Sequence, residues 1–275
     1  MSPVETRDVA ASVIATESLV LGGLFSHLAT ADDPDRPETA GQLECFKEVL
    51  ATLRDAGIDP GITHIANSAA TIAHPATRRD LVRCGISIYG IAPSPALDGL
   101  IDLRPAMSVT AEVSHTLTVP AGEAISYGLT HRFDVDTRVA VLPVGYADGV
   151  PRNLGTNYGE VLIGGMPRPV RGVVTMDQMM VEVGAATDDS VVPVQRGDVA
   201  VLIGSQAAPA PKPAPKPAPK PAPKPAPDPA ALDSTSERPG REVNRVTATD
   251  WADAMDTIPY EIVCGFSARL PREYR

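Results

Sequence analysis

The sequence lacks a long apolar run, a paired-cysteine motif and an excess of positive charge. No apolar run approaches the roughly 18 residues of a membrane span, and the acidic start, with Glu5 and Asp8, is unlike a signal peptide. The three cysteines, Cys45, Cys84 and Cys264, are far apart and accompany no histidine cluster, so no metal site is predicted and a reducing compartment is indicated. The net charge of −10 argues against a nucleic-acid or anionic-membrane partner. These absences favour a cytoplasmic protein that binds a small metabolite.

With 275 residues, of which 43% are hydrophobic, the chain is long enough for two domains. Residues 1–92 alternate between strand and helix patterns, which is typical of parallel βα units. The predicted elements are a short helix at Glu5–Glu17, a strand at Leu19–Ala29 buried on both faces, a helix from Pro37 to just before Gly57, a strand at Ile62–Ala66, a helical turn at Thr77–Leu81 and a strand at Ile86–Ile91. The first domain is therefore predicted to be α/β.

The pattern changes after a proline-containing linker, residues 93–106. Residues 107–275 show short β-branched runs separated by Gly, Pro and Asp turns, which predicts an all-β domain with a small barrel or Greek-key arrangement. The predicted strands are Ser108–Val119, Val139–Val144, Glu160–Ile163, Pro169–Thr175, Met179–Val183 and Asp198–Ile203. A helix capped by Thr249 and Asp250, and then a strand at Glu261–Phe266, are predicted near the end.

A Pro/Ala/Lys-rich insert, residues 206–246, interrupts the β domain and is predicted to be disordered. Its APKP repeat carries a proline at every other position, so it can join neither a helix nor a β-ladder. The repeat is predicted to be a solvated polyproline II rod. It is interpreted as a spacer or, alternatively, as a ligand for an SH3-type domain.

Two tyrosines stand next to glycine on either side of one predicted strand, in Ser126-Tyr127-Gly128 and Gly145-Tyr146. Glycine allows the backbone to turn sharply or to approach a ligand closely. Two readings follow from the residues alone. Each phenol points into a cleft, or each ring closes the rim of a sheet, as buried aromatic residues commonly do.

Nine separated motifs follow one another in a fixed order. They are SHLATADD (26–33), HIANSAAT (64–71), LVRCGISIYG (81–90), LRPAM (103–107), ISYGLTH (125–131), PVGYADGVPR (143–152), GVVTMDQMMVEV (172–183), GDVAVLIG (197–204) and IPYEIVCGFSARLPREY (258–274). Together they resemble the alanine racemase family, whose members depend on pyridoxal 5'-phosphate (PLP). The resemblance implies the C-terminal half of a PLP-binding TIM-type barrel followed by a small β-barrel or Greek-key domain. It also implies a homodimer that shares its active sites and converts L-alanine to D-alanine.

The resemblance implies a role for each matching residue. Tyr127 matches one of the two proton-transfer groups at the substrate α-carbon, acting in the partner subunit's site. His27 and Arg83 match the histidine and arginine that support this phenol, and Arg83 also matches the arginine facing the pyridine nitrogen of PLP. The remaining matches are the phosphate-binding residues Asn67, Ser68, Gly85 and Ile86, the carboxylate-binding Met176 and the entry-channel Tyr146.

Two departures from the family pattern bear on activity. The family needs a lysine at a barrel strand end to hold PLP and act as the second base, but the five lysines here are Lys47, on the predicted helix, and four in the APKP repeat. Ala268 also stands where many members have a tyrosine that touches the phosphate. The chain is therefore expected to be an N-terminally incomplete racemase that neither holds PLP covalently nor racemises alanine alone, with a possible partner that supplies the missing half-barrel.

Two other readings remain open. The chain could be a non-catalytic interaction protein whose β domain pairs with a complete racemase. It could also be related to PLP-homeostasis proteins or decarboxylases that share the barrel, although the SYG, GYADG and TMDQ motifs of the β domain favour the racemase family.

Overall fold

The computed structural model describes residues 1–187, 193–207 and 243–274. They form two compact units, Met1–Met107 and Ser108–Arg275. Residues 93–106, interpreted above as a linker, fall in the first unit, and Leu97 among them is buried in its core.

The first unit is built around two short parallel strands. Its elements are helix α1 (Pro3–Ile14), strand β1 (Gly23–Phe25), helix α2 (Glu38–Asp55), strand β2 (Ile62–His64) and helix α3 (Ser68–Ala73), with 3-10 helices at Pro75–Thr77, Ile86–Tyr89 and Pro95–Leu97. β1 and β2 pair in parallel from Gly23 opposite Ile62 to Phe25 opposite His64. An isolated parallel bridge joins Asn67 to Arg83. The predicted parallel βα arrangement is confirmed.

Helix α2 packs by one apolar stripe, as its sequence predicts. The buried side chains recur every three or four residues, at Leu43, Phe46, Val49 and Leu53. The helix ends before Gly57, whose φ of 70° suits the left-handed position after a helix. Phe46 joins a core with Leu28 and Ile65, two residues that lie just beyond β1 and β2. Burying each such side chain contributes roughly 1.5–3 kcal/mol, which holds the strand ends in place.

Three predictions for the first unit were wrong. The expected buried strand at Leu19–Ala29 shrinks to β1, in which Phe25 is 66% exposed and its ring stacks on that of His64. The expected strand at Ile86–Ile91 is a 3-10 helix that ends at Gly90 with φ 74°, and the parallel bridge lies earlier, at Arg83. The expected helical turn at Thr77–Leu81 is replaced by the 3-10 helix at Pro75–Thr77, since Pro75 suits a first helical position.

The second unit contains one large antiparallel sheet. Its strands in chain order are β3 (Val109–Glu112), β4 (His115–Val119), β5 (Ala124–Ile125), β6 (His131–Arg132), β7 (Thr137–Leu142), β8 (Glu160–Ile163), β9 (Met166–Arg171), β10 (Met179–Ala185), β11 (Val199–Ala207) and β12 (Val243–Val246). The sheet order is β12-β11-β8-β9-β10-β7-β4, and β3 pairs with β11. Because β3 and β4 are separated by two residues yet pair at opposite ends of this path, the sheet is arranged like a barrel. β5 and β6 form a separate hairpin.

Several predicted boundaries in the second unit were wrong. The strand expected at Pro169–Thr175 lies at Met166–Arg171, and the strand expected at Glu261–Phe266 is helix α5 (Pro259–Gly265), which starts with Pro259 in its first turn. Helix α4 (Ala248–Ala254) is capped by Thr247, whose side chain and that of Asp250 form a reciprocal capping box.

The limits of the proline-rich insert are narrower than 206–246. β11 continues to Ala207, which pairs with Val243 at the start of β12, because backbone hydrogen bonds between these strands extend to both residues. The predicted polyproline II rod lies outside the described residues. Among the described helices, none combines the length and the apolar character that crossing a membrane requires.

Candidate active site

Arg83 is the centre of a hydrogen-bonded cluster at the carboxyl ends of β1 and β2. One terminal nitrogen of its guanidinium donates to Nδ1 of His64 (2.6 Å) and to the His64 carbonyl (3.3 Å). The other donates to the Ser26 carbonyl (2.8 Å) and lies 3.3 Å from Nδ1 of His27. The cluster forms because the carboxyl ends of parallel strands meet at one edge, the edge that carries the active site in barrels of this type.

The partners of Arg83 are backbone carbonyls and imidazole nitrogens. Because a guanidinium can only donate, the Nδ1 atoms of His64 and His27 are assigned as acceptors in these contacts. Arg83 also lies over the Phe25 ring, 5.6 Å from its centroid. Among the described residues no carboxylate forms a salt bridge with Arg83. The guanidinium therefore keeps its full positive charge at this edge.

His64 is a member of this cluster that the sequence reasoning did not single out. Only the pairing of His27 with Arg83 was predicted, and their atoms are 3.3 Å apart, whereas the contact with His64 is 2.6 Å. Its ring also stacks on that of Phe25, with centroids 5.3 Å apart and planes 5° apart. The signal available was the position of His64 at the end of β2, in the quoted motif HIANSAAT.

Ser68 and Gly85 are joined by a hydrogen bond between two separate segments of the first unit. The Gly85 N–H donates to Oγ of Ser68 at 2.9 Å, although the two residues are 17 positions apart. The side chain of Asn67 accepts from the Ala70 N–H at 2.9 Å, so Asn67 caps helix α3 and orients Ser68 at its start. Ser68 and Ile86 are both buried.

The Ser68–Gly85 pair has features that suit an anionic group such as a phosphate. The Ser68 hydroxyl hydrogen has no acceptor within hydrogen-bond distance among the described residues. A Cβ placed on Gly85 would meet no atom within 4 Å, so open space adjoins the Ser68–Gly85 pair. A free hydroxyl donor beside open space suits an anionic oxygen.

Tyr127 lies in a strained turn between β5 and β6. Its phenol is 72% exposed. Ser126 has φ 65° and ψ 175°, Gly128 has φ 76° and Leu129 has φ 48°, so three of four consecutive residues have positive φ. Oγ of Ser126 donates to the Val173 carbonyl at 2.5 Å. Ser126 was not singled out by the sequence reasoning as a site residue.

Tyr146 and Met176 are adjacent in the second unit. The Tyr146 N–H donates to the Thr175 carbonyl (3.0 Å), and the N–H of the next residue donates to the Met176 carbonyl (2.9 Å). Asp148, which is buried, accepts from the Gly145 N–H at 3.0 Å and closes the turn. The structure thus brings the loops of Tyr146 and Met176 next to each other, a contact that the sequence did not predict. Asp148 is a supporting residue that the sequence reasoning missed.

Lys47 is exposed on the surface of helix α2. Its Nζ forms an ion pair with Glu44 at 2.7 Å, and it belongs to neither cluster described above. The other four lysines lie outside the described residues. Among the residues that the structure describes, no group of three His, Cys, Asp or Glu side chains could hold a metal ion.

Comparison with known proteins matches both units to domains of one family. The model of the alanine racemase N-terminal domain matches residues 1–93, and that of the C-terminal domain matches residues 106–215 and 232–274. The chain belongs to the alanine racemase family.

Individual members of the alanine racemase family agree along the whole chain. The alanine racemase of Thermobifida fusca is 39% identical over 277 residues, and that of Symbiobacterium thermophilum is 40% identical over 274 residues. Both alignments cover 100% of this chain but 63% and 62% of the relatives. The chain therefore spans less than two thirds of the length of these racemases.

Solved structures of alanine racemases are also similar to this chain and are also covered only in part. Alanine racemase from Bacillus anthracis with bound L-Ala-P superposes on this chain with a TM-score of 0.78 at 30% identity, over 100% of this chain and 60% of that structure. The enzyme from a Streptomyces lavendulae that produces D-cycloserine superposes with a TM-score of 0.77 at 35% identity, and 62% of it is covered. This likeness confirms the predicted fold class, a partial TIM-type barrel followed by a β domain.

Proposed function

We propose that this chain supplies part of the active site of a PLP-dependent alanine racemase. It contributes the cofactor's phosphate and ring sites and one of the two groups that exchange the α-proton of alanine. The second group, an amine that holds the cofactor, comes from outside the described residues. The product is D-alanine for the bacterial cell wall, and three free cysteines favour a cytoplasmic location.

The observation that carries the proposal is the environment of Arg83. When bound, PLP withdraws electrons from the α-carbon of an attached amino acid so that its proton can leave. A permanent cation facing the ring nitrogen opposes protonation there, which restricts this withdrawal to what proton exchange needs. Arg83 is suited to the role because its partners are carbonyls and imidazoles, which leave its charge uncompensated.

The phosphate end of PLP is assigned to Ser68, Gly85 and Ile86. A Cβ on Gly85 would meet no atom within 4 Å, and the hydrogen of the adjoining Ser68 hydroxyl is available to donate. Asn67 contributes by holding the start of helix α3. The Ser68 hydroxyl hydrogen suits a phosphate oxygen because no acceptor among the described residues takes it, whereas the Gly85 N–H is already donated to Oγ of Ser68.

Tyr127 is assigned the transfer of one α-proton, in a site shared with a second subunit. Tyr127 is 72% exposed on a strained turn, which argues against the reading that its ring closes the rim of the sheet. Met176 is assigned the substrate carboxylate through its backbone N–H, and Tyr146 the entrance. Their loops are tied together through the Thr175 and Met176 carbonyls.

The test is complementation. The chain is produced alone and together with the N-terminal part of the Thermobifida fusca racemase that it does not cover, and D-alanine formation from L-alanine is measured with PLP present. We expect activity only in the mixture. Tyr127→Phe should lower that activity by at least about a hundredfold, since general acid–base groups contribute about 10²–10⁴. Tyr158→Phe is the matched control, because Tyr158 is 81% exposed in the same unit.

Two results would contradict the proposal. Racemisation by the chain alone that is lost in Lys47→Ala would place the amine within the described residues. A mixture that assembles and binds PLP but forms no D-alanine would favour the second candidate, a non-catalytic interaction protein. That candidate is supported by the position of Lys47, which pairs with Glu44 and lies in neither cluster.

A further inference from the structure

Ser126 adopts a backbone conformation that is essentially reserved for glycine. Its φ of 65° and ψ of 175° place its Cβ where L-residues are disfavoured. A glycine at this position would form the same turn without that penalty. The presence of serine therefore calls for a function of its side chain.

The Ser126 side chain ties the tyrosine turn to a neighbouring segment. Its Oγ donates to the Val173 carbonyl at 2.5 Å, 47 residues away along the chain, and its carbonyl accepts from the Leu129 N–H at 3.2 Å. Gly172 makes the approach possible, because a Cβ there would lie 2.7 Å from Cβ of Ser126. Gly172 also has φ 71°, so substitution would be strained in any case.

We propose that Ser126, seated against Gly172, is a positioning residue that sets the Tyr127 phenol relative to the segment that leads to Met176. The inference rests on the proposed function, which assigns Tyr127 to proton transfer and Met176 to the carboxylate. Val173 is three residues before Met176. The hydrogen bond from the Ser126 hydroxyl to the Val173 carbonyl therefore joins the turn that carries Tyr127 to the segment that carries Met176. Such fixing matters because proton transfer depends steeply on the distance between the groups.

A purely structural role for Ser126 predicts a different outcome from a positioning role. If the residue served only to form the turn, Ser126→Gly would preserve the turn and relieve its strain. If the hydroxyl is the anchor, Ser126→Gly and Ser126→Ala both release the turn. Gly172→Ala should release it as well, although the hydroxyl is retained, because the added Cβ pushes Ser126 away.

The experiment uses the full chain. Hydrogen exchange at the Leu129 amide reports on the turn, and ¹⁹F spectra of fluorotyrosine-labelled protein report on the Tyr127 ring, which is assigned with Tyr127→Phe. We expect exchange about threefold to tenfold faster in the three variants, the effect of losing one hydrogen bond, and a shifted or broadened Tyr127 resonance. In the complemented enzyme, Ser126→Ala should lower kcat about tenfold with KM within about twofold.

Two matched controls separate the anchor from general effects. Ser114→Ala removes a similar hydroxyl bond, from Oγ to the Val141 carbonyl at 3.0 Å. Gly164→Ala introduces a side chain at φ 63° where no atom lies within 4 Å. Both should leave the Leu129 amide and the Tyr127 resonance unchanged.

The proposal is overturned if Ser126→Gly changes neither the exchange rate of the Leu129 amide nor the Tyr127 resonance. It is also overturned if Ser114→Ala changes both as much as the Ser126 variants do. A loosened turn in Ser126→Ala with full activity of Tyr127→Phe would refute the proposed function while supporting the anchoring by Ser126. An unaltered turn with an inactive Tyr127→Phe would refute the anchoring alone. The two inferences can thus fail separately.

Discussion

Replacing Arg83 should destabilise the first unit far more than replacing a comparable arginine nearby. Two of its bonds are short, at 2.6 Å to His64 and 2.8 Å to Ser26, and they join segments 19 and 57 residues away. A hydrogen bond to a charged group contributes about 1.5–3 kcal/mol. Because Arg83 is only partly buried, we expect Arg83→Ala to lower the free energy of unfolding of this unit by about 2–4 kcal/mol.

The substitution Arg83→Lys separates charge from geometry. A lysine ammonium keeps the positive charge, but as a compact group on a single stem it cannot reach both His64 and Ser26 in the geometry of the guanidinium. We expect it to lose about half of the stability lost in Arg83→Ala. If Arg83→Lys were as stable as the wild type, the positive charge alone would account for the contribution of Arg83 to stability.

The assay is urea unfolding followed by hydrogen exchange at the amides of β1 and β2. The control is Arg78→Ala, since Arg78 donates to the nearby Thr71 and Ile72 carbonyls at 2.8 and 3.4 Å without linking distant segments. The single tryptophan, Trp251, lies in the second unit and should report unchanged unfolding. Equal losses in Arg83→Ala and Arg78→Ala, within about 0.5 kcal/mol, would refute the assignment of Arg83 as the link between the strand ends.

Two further predictions concern stability. Gly90→Ala should cost about 2–4 kcal/mol, because Gly90 has φ 74° and an added Cβ would overlap the Arg104 carbonyl; Gly99→Ala, strained but unobstructed, should cost less in the same urea titration. Burial lowers the pKa of His131 below its ordinary value, as does nearby Arg171. The folded state thus binds a proton at His131 less readily than the unfolded state does. The stability that neutral His131 contributes is therefore present above the unfolded pKa of about 6.5, and it is lost as the pH falls through the lower pKa of the folded state. His131→Gln should flatten that part of the pH dependence of tryptophan-monitored unfolding, and an unchanged curve would contradict it.

Local patterns in the sequence identified several elements correctly. The apolar stripe at Leu43, Phe46 and Leu53 correctly predicted helix α2, because helix formation depends on neighbours three and four residues apart. The end of the helix before Gly57 was also predicted correctly. The βα alternation predicted parallel strands, and β8 was predicted with its observed limits, Glu160–Ile163. The same reasoning failed at Ile86–Ile91, where a short apolar run is equally compatible with a strand and with a 3-10 helix.

The order of the motifs along the chain was sufficient to assign the family, whereas the roles that the family implies for individual residues stay predictions. Only the tertiary structure decided that His64 is the closest partner of Arg83, that Ser68 faces Gly85, and that Ser126 is bonded to Val173. The physical reason is that these contacts join residues 17 to 47 positions apart, so they depend on how strands pair and loops close. A local pattern specifies which residues can take part in such contacts, and the packing of the whole unit selects the pairs.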